Sequence, residues 1–289
     1  MRSLPFILVL MTIILLPGCG GGKGSADQPD QPDSSTTTQK PDSSAPASKP
    51  FVTDSFKYSL TGKMGRCDIY LDYPMDGPEK VVAAIREWTK HTLFENDTAN
   101  IADDPMLLVR SYCHERQEAL AKSLQQMGIS SVSKDQAPEE GIELRLVCSN
   151  QRFVTYEVYR YSYITHGAHG EYSDYGVTFS VADGHRLGNV VQQMDSLLYV
   201  HVREGMKTYF EITSDAKLKE ICSVDLNLMP MPTFPPYLVR DGVRFHYSIY
   251  DVCPFDWGDP VFTIPYSVIR PYLTPEALEV LGDGKWEMK

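Results

Sequence analysis

Apolar and polar residues alternate over 56–60 and again over 67–73. That is the period of a half-buried strand, and Thr61-Gly62-Lys63 between the two runs predicts a hairpin turn. Pro78 then opens a stretch where Val81, Val82, Ile85, Trp88 and Thr89 recur three and four apart. This spacing predicts an amphipathic helix reaching about Phe94. A second helix is predicted over 115–127, with Leu120, Leu124 and Met127 on one face and Gly128 as its stop. Strand patterns return over 142–149 and 153–163, on either side of Asn150-Gln151, and over 175–181, closed by Asp183-Gly184. The segment 187–191 leads into a helix over about 195–211, with Leu198, Val202, Met206 and Tyr209 at helical spacing.

The segment 229–236 holds four prolines and is excluded as a central strand. After it, 237–240 and 243–247 flank Asp241-Gly242 as a hairpin, 260–264 reads as a last strand, and 266–272 as a short helix or turn. Runs of strands with helices between them predict an α+β fold. Antiparallel sheets would carry helices on one face, in two similar-sized halves, 51–185 and 186–289, forming one compact unit.

The first 50 residues follow neither period. Arg2 precedes an apolar run over 4–16 that closes on Leu16-Pro17-Gly18-Cys19. Thirteen residues are too few for a membrane-spanning helix, which needs about 20, so 1–18 reads as a secretory signal. Cysteine at the cleavage point resembles the lipobox of bacterial lipoproteins, which implies that the thiol of Cys19 is acylated and becomes the mature N-terminus. Residues 20–50 contain no large apolar side chain and bury too little to offset their ordering entropy. The segment 19–50 is therefore expected to be a lipid-anchored disordered linker. The expected address is the cell envelope, with the membrane reached through the N-terminal lipid only.

Net charge is −11, and the four acidic and four basic residues of 1–50 cancel, so all of it falls on the rest of the chain. Such a field disfavours nucleic acid and favours cationic partners. Seventeen tyrosines fit sheet-rich structure and a wet contact surface. Beyond Cys19 there remain Cys67, Cys113, Cys148, Cys222 and Cys253 without a C-x-x-C. They are either buried small hydrophobes or the ends of one or two disulfides, with at least one thiol left over.

Three blocks occur in order. Tyr163-Ile164-Thr165-His166-Gly167-Ala168-His169-Gly170 is followed by Phe179-Ser180-Val181-Ala182-Asp183-Gly184. Then come Tyr237-Leu238-Val239-Arg240-Asp241-Gly242-Val243-Arg244-Phe245-His246-Tyr247, and Tyr250-Asp251-Val252-Cys253-Pro254 leading through Gly258-Asp259-Pro260 to Ile264-Pro265-Tyr266. Together they resemble the extracellular domain of RsiV-like anti-sigma factors, which also accompanies PdaC-type peptidoglycan deacetylases. Asp68-Ile69-Tyr70-Leu71-Asp72-Tyr73-Pro74 with the helix after it resembles the N-terminal half of that unit. The likeness spans about 56–281.

His166 stands where that family has a glycine, and His169 where it has its histidine. Gly167 and Gly170 allow positive φ, which suits a tight bend between strands. A metal reading would pair His166 with His169, and with His185. Two histidines on a turn without an acidic or thiol partner make a poor ligand set, and no metal or other cofactor is expected. Asp251, Asp256 and Asp259 lack the spacing of a calcium loop. His166, His169, Tyr250, Pro254, Phe255 and Trp257 are candidate binding residues, the last four because proline-held aromatics lose little rotamer freedom on contact. The competing reading has Phe255 and Trp257 capping the core.

No G-x-S-x-G, H-E-x-x-H or Walker loop occurs, and no catalytic residue is assigned. In RsiV-like sensors this domain binds lysozyme. The resemblance therefore implies a non-catalytic lipoprotein that binds a cationic, lysozyme-like enzyme or peptidoglycan. A cell-wall glycan hydrolase or deacetylase using His169, or a structural component of an envelope complex, are the alternatives.

Overall fold

The computed structural model describes residues 49–282 apart from 64, 95–100, 134–136, 164–168, 194 and 223. The signal segment, Cys19, the linker to residue 48 and His166 lie outside the described residues.

Strands β1 (Val52–Gly62), β2 (Gly65–Asp76), β3 (Glu139–Ser149), β4 (Phe153–Tyr163) and β5 (Glu171–Ser180) form one sheet in that spatial order. The α+β class is as expected. One pairing departs from a wholly antiparallel sheet: β2 and β3 run parallel, with Ile69 beside Ile142 and Leu71 beside Leu144. The reason is the connection between them, helices α1 (Glu79–Leu93) and α2 (Pro105–Gln126). A crossover of this length returns the chain to the end where it began.

Both helices cover one face. Cys67, Ile69, Leu71 and Tyr73 alternate inward along β2 and meet Val81, Ile85 and Trp88 of α1 and Leu108, Val109, Tyr112 and Cys113 of α2. Helix α2 starts ten residues before the predicted 115. Asp104 caps it through Leu107 N–H at 2.9 Å, with Pro105 in its first turn. Asp-Pro is the local signal of that start, and it lies outside the three- and four-residue spacing that places the rest of the helix. The buried stripe lies in the early turns of α2, and Met127 is exposed.

The second core gathers Leu198, Val202 and Met206 of α3 (Ser196–Tyr209) with a small antiparallel sheet of β6 (Tyr237–Leu238), β7 (Gly242–His246) and β8 (Val261–Pro265). Cys148 and Phe153, from the β3–β4 turn, reach into it. Three short helices complete it: α4 (Asp215–Ile221), α5 (Tyr266–Ile269) and α6 (Pro275–Leu281). Sequence periodicity missed α4 and α6, since seven residues give too few turns for a moment to register. Both carry side-chain caps, Ser214 and Thr274.

The two cores share a polar seam. Thr155 Oγ donates to the Leu238 carbonyl at 2.7 Å, and Leu238 N–H reaches Thr178 Oγ at 3.3 Å. Gly176 on β5 makes the approach possible. A Cβ there would lie 2.2 Å from the ring of Tyr237, so only glycine lets that ring lie on the sheet. All five described cysteines are free and buried. No helix among the described residues is long and apolar enough to cross a membrane.

Candidate functional site

Two sequence-distant segments meet at one surface patch. The 248–260 loop follows β7, and Pro254 opens a single 3-10 turn at Phe255–Trp257. On the other side, His169 and Gly170 lead into β5. The imidazole of His169 stacks on Phe255 with ring centroids 4.2 Å apart. Tyr172 and Tyr250 each approach Phe255 at 6.2 Å. Trp257 stands edge-on to Phe210 at the end of α3, 6.1 Å away.

These rings do not cap a core. Tyr250 is 64% exposed and Trp257 49% exposed, and Phe255 is half-buried. Tyr250 holds φ at +69°, a region costly to a bulky side chain. His169 Nδ1 is bonded to the Gly170 carbonyl at 2.9 Å, and among the described residues no carboxylate pairs with it. Gly170 does not adopt the positive φ expected of it. Its missing Cβ instead admits the Tyr161 ring, which would stand 2.4 Å away.

Beneath this patch lies a polar cluster the sequence reading did not find. His246 of β7 is buried, with Nδ1 3.8 Å from Asp174 of β5 and Nε2 3.2 Å from Asp259 of the aromatic loop. Burial pushes the Asp174 carboxyl up to about 6, against the pull of His246, and one of its oxygens is buried without a partner. Beside it Glu157 accepts from Tyr237 Oη at 2.7 Å and from Arg244 at 2.5 Å. Asp174 and Glu157 line an open cleft of about 300 Å³ with Glu143, Arg145 and Tyr159. Its sequence trace is slight: polar residues at alternate positions of β4 and β5, set among apolar neighbours.

The remaining candidates separate. His185 bonds Asp183 at 2.9 Å and Glu276 of α6 at 2.6 Å, while His169 stacks on Phe255, so they form no common ligand set. Asp251 accepts from Thr233 and from Ser248 N–H, which makes it a brace of its own loop. Among the described residues, no three metal-ligating side chains are placed to hold one metal ion.

No family model matches the sequence, and no curated protein matches it either. Solved structures do resemble it. A DUF3298 family member from Bacteroides fragilis NCTC 9343 superposes with a TM-score of 0.63 at 19% identity, over 80% of this chain and 98% of that one. The fold is that of the DUF3298 structures. A second, from Pseudomonas aeruginosa PAO1, gives a TM-score of 0.53 at 14% identity, over 79% of this chain and 96% of its own. At these identities the DUF3298 likeness carries the fold, a domain of unknown function.

Proposed function

We propose that this DUF3298-fold protein is a non-catalytic envelope lipoprotein of the RsiV-like, PdaC-accessory kind. Lipid on Cys19 would hold it to the membrane, and its aromatic patch would bind a cationic, lysozyme-like cell-wall enzyme. The observation that carries this reading is the convergence of His169, Tyr172, Tyr250, Phe255 and Trp257 from two segments into one exposed surface. Exposed aromatics clustered with little rotamer freedom are the usual anchors of a protein contact. The net charge of −11 steers a basic partner toward it. Retention of lysozyme on the immobilised protein at low salt, weakening as salt rises, is the expected result. Absence of retention at low salt removes the reading. Retention of insoluble peptidoglycan in its place would move the ligand from the enzyme to its substrate.

The enzymatic alternative has one observation in its favour, and it shifts the chemistry away from His169. Asp174, with its carboxyl near 6 and Glu157 beside it in an open cleft, is placed as a general acid would be. Release of reducing ends or acetate from purified cell wall, lost in Asp174→Asn, would support that alternative over the binding reading.

A further inference from the structure

Among the five described cysteines, Cys67 and Cys113 share a hydrogen bond. Cys67 lies near the start of β2 and Cys113 midway along α2, 46 positions apart, and Cys113 Sγ donates to the Cys67 carbonyl at 3.5 Å. Both are buried in the core between sheet and helix.

The surroundings show what a bond here would hold. Past Cys113, the only buried residue of α2 is Leu124, so the second half of the helix is held by few apolar contacts. One turn on, Arg116 grips Glu140 with two bonds of 2.7 and 2.9 Å. Glu140 is the β3 partner of Cys67 in the parallel register. Thiol pair and ion pair together mark the point where the long helix is fastened to the sheet.

We propose that Cys67 and Cys113 form a structural disulfide when the chain folds in an oxidising medium, tying α2 to β2. The oxidant is a disulfide, either of a small thiol such as glutathione or of an oxidoreductase. One cysteine thiolate attacks it, forms a mixed disulfide and expels the first thiol. The second cysteine then displaces the other thiol, so the two cysteines lose two protons and two electrons and the incoming disulfide becomes two thiols. The bond closes while α2 is undocked. In the native fold both sulfurs are shielded, and hydrogen bonding to Cys113 together with burial holds the Cys67 thiol far up. Cys148 takes no part in this bond, because it packs in the other core.

The test uses the full chain, unfolded in urea with reductant and refolded in a glutathione redox buffer until its circular dichroism recovers. Free thiols are then alkylated in denaturant and the digest read by mass spectrometry without reduction. The expected result is a peptide pair joined through Cys67 and Cys113, with Cys148 alkylated. The oxidised form should also melt about 10 °C above the reduced one, as a loop of this length implies. Alkylation of both Cys67 and Cys113, or bridges from either to another cysteine, overturns the proposal. Equal melting of the two forms overturns its stabilising role.

Discussion

His169 lies flat on Phe255, 4.2 Å between centroids and 25° between planes, although one belongs to the approach to β5 and the other to the loop after β7. The stack ties the two halves of the chain at the surface, as the Thr155–Leu238 bond does in the interior. Phe255 also touches Tyr172 and Tyr250, which makes it the hub of the patch. On the proposed binding reading, Phe255→Ala should therefore weaken retention of lysozyme by roughly tenfold or more, the scale of an aromatic anchor, with the fold intact. Calorimetric titration beside far-UV circular dichroism reads both.

Tyr250 separates binding from stability. Its φ of +69° suits glycine, and the relief of roughly 1–3 kcal/mol of strain outweighs the roughly 0.4–1 kcal/mol that glycine's freer unfolded chain costs. Tyr250→Gly should raise the urea midpoint slightly and lower affinity for the partner. A variant that loses both stability and affinity would show that the ring supports the loop.

Gly176 predicts a loss without any change of charge. A methyl group 2.2 Å from the Tyr237 ring must push it off β5 and break its bond to Glu157. Gly176→Ala should cost about 1–3 kcal/mol, the range for overpacking. Gly188→Ala, where a Cβ meets nothing within 4 Å, should change stability by less than about 0.5 kcal/mol. Urea unfolding of the two variants makes the comparison.

Asp174 makes stability depend on pH. Burial raises its carboxyl to about 6 in the fold, above the ordinary value of about 3.9. A raised group stabilises fully below its unfolded pKa, and that contribution is lost as pH climbs through the folded one. His246, Glu157, Asp259 and Arg244 act on it, and Glu157 and Asp259 push in the same direction as burial. Asp174→Asn should gain on the parent protein by roughly 1–3 kcal/mol between pH 4 and pH 7. Denaturation at both ends of that range measures the gain, and an unchanged difference would contradict the assignment.

Helices α1 and α3 and most strands were legible because a residue's side of a helix or strand follows from its spacing alone. The Asp183-Gly184 turn was legible for the same local reason, and Gly184 does hold φ at +80°. The binding candidates Tyr250, Phe255 and Trp257 were visible as proline-framed aromatics, but their exposure was not, since a ring looks alike in sequence whether it faces a core or solvent.

The chain's own order of residues determined the α+β class, the periods of its longer helices and strands, and the net charge of −11. All of these depend on composition or on contacts a few residues apart. Tertiary structure alone decided that His169 meets Phe255, that His246 stands between Asp174 and Asp259, and that Cys67 touches Cys113. Each of those meetings depends on how the crossover and the second sheet close over long stretches of chain, and no periodicity encodes a distance between residues so far apart.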